Sequence, residues 1–274
     1  MPLDKVGETY KAAERATDLR LPPKQHVIVR LDGNSFSRLT RTIGCERPFD
    51  RRFSSCMEAA VRACVEYASG AVLAYSQSDE ISIWLRNDQS EQTEPFVGNR
   101  IQKLCSLLAS RCSVAFNARA RDGLGFAETE AIFDCRAFTL PTEQVAGYFA
   151  WRMGDCFVNC VQAYAQKHIG KRVLFGKSTK EQTALLMEQA GINVAHDIPL
   201  RWRRGFALRR IVETVPASTV MPPEAWASLL ARGHAVEGQT VERGRWVTDD
   251  TLPIWRAGDD PESLCAPPCA EVAA

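Results

Sequence analysis

A chain of 274 residues and 30.5 kDa has room for one or two domains, and 45% hydrophobic with 24% charged residues is the composition of an ordinary folded globular chain. Disorder over most of its length is excluded. Lys and Arg total 34 against 33 acidic residues, so a net charge of +1 supplies no global attraction to nucleic acid or lipid, and any polyanion must be held by a local patch.

Charges break the apolar stretches within about ten residues, short of the roughly 20 that a membrane-spanning helix needs, and no membrane partner is expected. The opening MPLDKVGETYKAAERA lacks the apolar core of a secretory signal, which makes the cytoplasm the expected compartment. Ten cysteines, Cys45, Cys56, Cys64, Cys105, Cys112, Cys135, Cys156, Cys160, Cys265 and Cys269, are scattered without a zinc spacing and read as reduced, buried thiols.

The first element is a strand over 26–31 (HVIVRL), stopped by the turn residues Asp32, Gly33, Asn34 and Ser35. Apolar residues at helical spacing from Phe53 to Ala68, behind Pro48 and ahead of Gly70, predict a helix over 48–68. Two strands, 71–75 and 81–85, follow as a hairpin with carboxylates at its tip. A second helix is expected over 95–112 on the stripe Ile101, Leu104, Cys105, Leu108 and Cys112, and a fourth strand over 131–140.

That order, strand, helix, hairpin, helix, strand, is a split βαβ arrangement. The predicted fold is therefore α+β, a ferredoxin-like polymerase palm whose antiparallel sheet carries its helices on one face. Beyond Pro141 a long helix is expected on the stripe Val145, Phe149, Met153, Phe157, Val161 and Tyr164, then another behind the capping box of Ser178 and Glu181. Arg201, Arg203, Arg204, Arg209 and Arg210 form the densest positive segment, Arg243, Gly244 and Arg245 read as a hairpin turn, and the end is Pro/Ala-rich. The division read from this is a palm-like catalytic domain over 1–140, a helical, fingers-like region with the basic segment over 141–256, and a flexible tail over 257–274.

In such a fold the end of the first strand lies beside the hairpin tip, so Asp32 and Asp79 converge. With the carbonyl of Gly33 they offer hard oxygens suited to Mg²⁺, which keeps waters and binds through few carboxylates plus substrate phosphates. Two such ions about 3.5–4 Å apart suit in-line phosphoryl transfer with loss of pyrophosphate. Gly33 also lets the backbone of the 32–37 turn approach a triphosphate, and Arg47, Arg100 and Lys103 are candidate phosphate ligands. Each feature alone is commonplace, Asp-Gly being usually a turn and a lone Arg or Lys usually solvated; their joint placement carries the reading.

The blocks LDGNSF, YSQSDEIS, FDCRAF, WRMGDCFVN, STKEQTALL and GIN followed by RRG, in this order over about 29–205, resemble those of the tRNA-His guanylyltransferase family, including its guanylyltransferase-like branch of 3′-to-5′ polymerases. The resemblance implies a polymerase palm run in reverse, which adds nucleotides to the 5′ end of tRNA after activation of that end by ATP or from a triphosphate, and a homotetramer. It implies two Mg²⁺ held by Asp32, Gly33 and Asp79 with Glu80 in support, and ATP or GTP held by Asn34, Ser35, Phe36, Ser37, Arg47, Ser78, Arg100 and Lys103. It implies RNA contacts at Arg136 and Asn159, and the basic segment adds Arg203 and Arg204 as phosphate contacts along a tRNA arm.

Asn34, Ser37, Cys135, Phe157 and Gln182 depart from the family pattern, which favours templated 5′-end repair over dedicated guanylate addition. Phe157 reads as core. A palm-fold nucleotide cyclase and a catalytically idle tRNA-binding relative are the competing readings.

Overall fold

The computed structural model describes residues 3–122 and 130–266. In chain order it comprises α1 (Leu3–Arg15), β1 (His26–Gly33), α2 (Phe36–Thr42), α3 (Arg51–Tyr67), β2 (Ala71–Gln77), β3 (Glu80–Leu85), α4 (Ile101–Arg121), β4 (Phe133–Leu140) and α5 (Thr142–His168). There follow α6 (Lys171–Leu174), α7 (Thr179–Ala190), α8 (Val194–Asp197), α9 (Leu200–Arg204), β5 (Phe206–Pro216), α10 (Pro223–Ala231), β6 (Thr240–Asp249) and α11 (Pro261–Leu264). The strands form one six-stranded antiparallel sheet in the order β4-β1-β3-β2-β5-β6.

Side-chain alternation along the strands decides what each face covers. Val27, Val29 and Leu31 of β1 and Ile81, Ile83 and Leu85 of β3 point to one face, where they pack against Met57, Val61 and Cys64 of α3 and Leu104, Leu108 and Phe116 of α4. Ile28 and Trp84 point to the other, against Val145, Phe149 and Met153 of α5. The α+β palm is as expected from the sequence, except that helices cover both faces. α5 crosses to the second face because Ile28 of β1, Leu73 and Tyr75 of β2 and Trp84 of β3 leave an apolar patch there, which another helix buries.

Asp50 caps α3 by accepting from the amides of Arg52 and Phe53, so the helix begins after Pro48 and not at it. α4 starts with its stripe at Ile101 and not at the expected residue 95, since Val97 and Gly98 are left-handed (φ 48° and 64°), and it runs on to bury Phe116 and Ala120. Phe157, expected in the core, is 39% exposed; the buried stripe of α5 passes through Cys156, Cys160 and Val161 instead. The second half of α5 packs on Leu174, Leu186, Val194 and Ile198 of α6 to α8.

The expected turn at Arg243, Gly244 and Arg245 is the middle of β6, paired with Glu213, Val212 and Ile211. A Cβ on Gly244 would lie 2.6 Å from Nε of Arg210, so this glycine admits a side chain across the ribbon and does not reverse the chain. The tail reading fails through residue 266, because Leu264 is fully buried beside Leu252 and Trp255 in the α5-side core; residues 267–274, with Cys269, lie outside the described ones. The nine described cysteines are free, five of them buried. Among the described residues no helix is long and apolar enough to cross a membrane.

Phe36, at the start of α2, is 3% exposed and meets Phe53, Phe116 and Phe133 at ring separations of 5.9, 5.5 and 4.9 Å. This aromatic cluster pins the turn after β1 to both helices of its face. Phe36→Ala is expected to lower unfolding free energy by about 3–5 kcal/mol in chemical denaturation, and Phe36→Leu by less.

Candidate active site

β1 ends where its amide at Gly33 donates to the carbonyl of Asp79 at 3.1 Å. Opposite it, β2 and β3 are joined by a two-residue turn, Ser78 and Asp79, inside the Gln77 and Glu80 pair; Ser78 takes the left-handed conformation (φ 49°) that so tight a reversal needs. Asp32 pairs in register with Glu80 on one side and Asp134 on the other. The two aspartates singled out from the sequence are thus brought to one corner of the sheet. Gly33 is required there, since a Cβ would sit 2.4 Å from the Phe36 ring.

Cross-strand partners share a face, so Asp134, Asp32 and Glu80 form a row of carboxylates. Its outer members are neutralised within the fold. Asp134 pairs with Arg136 at 3.2 Å, and Glu80 is gripped by Arg152 (Nε to Oε1 2.6 Å, Nη2 to Oε2 2.6 Å) and by Arg30 Nη2 at 2.6 Å. Among the described residues Asp32 makes no ion pair. Asp79 accepts from the Ser78 hydroxyl at 2.9 Å; burial pushes its carboxyl above the ordinary carboxylate range, and the charges of Asp32 and Glu80 push the same way against that hydrogen bond.

A partly desolvated aspartate beside a second one with no protein counter-charge is a place for a cation. No cluster of three or more metal-type side chains occurs among the described residues, so the donor set is two carboxylates and main-chain carbonyls. Hard oxygen donors, few in number, fit Mg²⁺ with its retained waters and do not suit a fully protein-ligated zinc or calcium. Both oxygens of Glu80 are taken by guanidinium groups at 2.6 Å, which anchors the start of β3 beside Asp79.

Beside this corner opens a cavity of about 390 Å³, within the range of small-ligand sites. Phe36, Ser37, Arg47, Ser78, Asp79 and Asn159, all singled out from the sequence, line it. So do Gln77, Lys167 and Lys171, which were not. The ammonium of Lys167 donates to the Arg47 carbonyl at 2.6 Å and ties α5 to the loop before α3. The Gln77 carboxamide is 5% exposed and its Oε1 has no partner among the described residues. Asn34 and Ser35 are exposed on the adjoining turn.

Arg100 and Lys103 are not brought here within one chain. α4 starts at the far end of the sheet and runs back, meeting β4 where Cys105 touches Cys135 and where the Ser113 hydroxyl accepts from the Phe133 amide, and neither Arg100 nor Lys103 lines the cavity. Arg100 caps that far end and pairs with Asp18 at 2.6 Å. Arg203 and Arg204 are half-buried, and each donates one hydrogen bond to a main-chain carbonyl, of Ile198 and of Leu252, both at 2.6 Å. Arg201 likewise pairs with Glu58 at 3.0 Å, and Arg209 is buried against Asp249 at 3.1 Å.

The family model described as tRNAHis guanylyltransferase matches residues 7–141. A probable tRNA(His) guanylyltransferase of Drosophila melanogaster is 28% identical over 200 residues, 69% of this chain and 68% of that protein. A solved structure titled as a bacterial tRNA(His) guanylyltransferase-like protein in complex with ATP shares this fold with a TM-score of 0.75 and 29% identity, over 91% of this chain and 93% of that one. This chain is thus similar to the tRNA-His guanylyltransferase family, which is a family of nucleotidyltransferases. A second such bacterial structure, in complex with GTP, has a TM-score of 0.70 at 28% identity, again over 91% of this chain and 93% of its own.

Sequence reasoning missed Arg30 and Arg152, although a signal existed: an arginine inside HVIVRL has no place in a central strand unless a buried carboxylate meets it. Removing one partner of a buried ion pair typically costs about 3–5 kcal/mol. Arg152→Met should lower unfolding free energy on that order, with part of it restored in the double variant Arg152→Met/Glu80→Gln, as read in a double-mutant cycle.

Since the Asp79 carboxyl is raised in the fold, its ionisation opposes folding above that raised value, and the penalty disappears as it protonates at low pH. Asp79→Asn should therefore raise Tm at pH 7, by about 2–4 °C for each kcal/mol relieved, and the gain should vanish near pH 4. Calorimetry across that window checks the sign.

Proposed function

We propose that this chain is a Mg²⁺-dependent 3′-to-5′ nucleotidyltransferase that extends the 5′ end of tRNA, with ATP and GTP as nucleotide substrates. The observation that carries the reading is the convergence of Asp32 and Asp79, with no ion pair to either among the described residues, beside a cavity lined by Asp79, Arg47, Lys167 and Lys171. Asp32, Asp79 and the Gly33 carbonyl would hold Mg²⁺, which supplies charge neutralisation at the transferring phosphorus and its leaving group.

The chain's own groups bind and orient. Arg47, Lys167 and Lys171 hold the triphosphate by charge, Ser37 donates a hydrogen bond, and the stacked rings of Phe49 and Trp202 (4.9 Å, 5°) give the cavity an apolar wall. The 3′-hydroxyl of the incoming nucleotide attacks the phosphorus of the activated 5′ end. A phosphodiester forms, pyrophosphate or AMP leaves, and the hydroxyl proton passes to solvent. Positioning and electrostatics carry the rate, for no side-chain nucleophile is needed.

The altered residues Asn34, Ser37, Phe157 and Gln182 support templated 5′-end repair within the family. In this reading residues 141–256 supply the RNA-facing lobe, the assembly is a homotetramer and the compartment is the cytoplasm.

Incubation with Mg²⁺, the four NTPs and a 5′-truncated tRNA tests the reading. Lengthening at the 5′ end is expected, with a loss of at least about a hundredfold in Asp32→Ala and Asp79→Ala, the scale of removing one electrostatic element of a transition-state site. A cyclic nucleotide from NTP alone, or binding of tRNA without turnover, would replace the proposal with a cyclase or an idle binder.

A further inference from the structure

The loop between α6 and α7 presents Phe175 to solvent at 91% exposure, the largest value among the exposed large hydrophobic side chains of the described residues. This is a built loop. Leu174 is buried just before it, Gly176 takes φ 73°, and the amide of Lys177 donates to Leu174 O at 3.1 Å. The Gln182 side chain, 6% exposed, donates to the Lys177 carbonyl at 2.9 Å, and the Ser178 amide donates to Glu181 Oε2 at 2.7 Å. A loop fixed by its own hydrogen bonds thus holds an aromatic ring out in water.

The surroundings of the ring are cationic. Residues 167–180 (KHIGKRVLFGKSTK) carry Lys167, Lys171, Arg172, Lys177 and Lys180 and no acid, in a chain whose net charge is only +1. Among the described residues Lys171, Arg172 and Lys180 make no ion pair. Glu181, the nearest acid in sequence, is turned back onto Ser178 and its carboxyl is held below the ordinary range by that contact. Lys171 lines the cavity, and Phe175 follows it four residues on, about 6 Å away, one helical turn from the cavity mouth.

We propose that Phe175 is a stacking platform for an unpaired nucleobase near the 5′ end of the RNA substrate, with Lys171, Arg172, Lys177 and Lys180 holding the flanking phosphates. Exposed aromatics set among unpaired cations bind single strands irrespective of sequence, because every base has a stacking face. Continuity with the cavity selects the occupant: a strand whose end reaches Asp79 leaves across Lys171 and over this ring. The inference rests on the nucleotidyltransferase reading and adds the path of the RNA.

Fluorescence anisotropy with a 3′-labelled tRNA and a 5′-triphosphate oligoribonucleotide tests it on wild type, Phe175→Ala, Phe175→Trp and Arg172→Ala/Lys180→Ala. Phe175→Ala should weaken RNA binding about tenfold with an unchanged salt slope and unchanged Tm, and Phe175→Trp should restore it. The Arg172→Ala/Lys180→Ala variant should flatten the salt dependence of binding by about two charges. RNA affinity of Phe175→Ala within twofold of wild type overturns the platform. So does a loss of self-association in Phe175→Ala, by sedimentation, with RNA affinity unchanged, which makes the surface a contact between copies. Should the expected ranking of affinities appear while wild type extends no 5′ end, the platform stands and the proposed function falls.

Discussion

Two carboxylates kept at one corner of the sheet without a protein cation between them are the constraint around which this structure is arranged. Asp32 and Asp79 repel, and burial raises the cost for Asp79. The fold holds them there through groups that are not themselves at the corner. A main-chain hydrogen bond from Gly33 to Asp79 sets their approach, and the guanidiniums of Arg30 and Arg152 clamp the next residue, Glu80, to β1 and α5. Arg30 lies two residues before Asp32 and Glu80 one after Asp79, so the same clamp governs the backbone at both. The charge excess left at the corner is the part of the design that a cation completes.

α5 connects this corner to the rest of the molecule. Its 27 residues span about 40 Å, long enough to contribute to three neighbourhoods in turn. Val145 to Met153 seal the second face of the sheet, Arg152 holds Glu80, and Cys156, Asn159, Cys160 and Lys167 form the wall of the cavity. The lobe of α6 to α8 is packed onto its last turns. A rigid helix of this kind fixes the distance between the reacting corner and the cationic loop that follows it.

Much of this was legible in the sequence because periodicity reports burial. The six apolar residues shared by β1 and β3, the stripes of α3 and α4, and the Ser178 capping box all appear in place, and the Asp32 and Asp79 convergence followed from strand order alone. What could not be read was direction and partnership. Lys103 has the right charge on the polar side of the right helix, yet that helix runs toward the site from the opposite end of the sheet. Arg203 and Arg204 count as positive charge in a sequence, which does not tell that each also donates to a main-chain carbonyl, of Ile198 and of Leu252. Gly244 has turn chemistry and sits mid-strand because Arg210 needs the room. The partners of Glu80, Arg30 and Arg152, lie 50 and 72 residues away, beyond any local pattern.

The sheet is open at both ends among the described residues, with β4 and β6 as its edges. Unprotected edges are templates on which further strands can add. Here each edge carries charge along its length, Asp134 and Arg136 on β4 and Glu242, Arg243 and Arg245 on β6, with Glu213 reaching across to Arg245. A neighbouring molecule laid against either edge would have to strip water from these groups before its first backbone bond formed. Desolvation of those charges is thus the barrier that both edges set against an added strand.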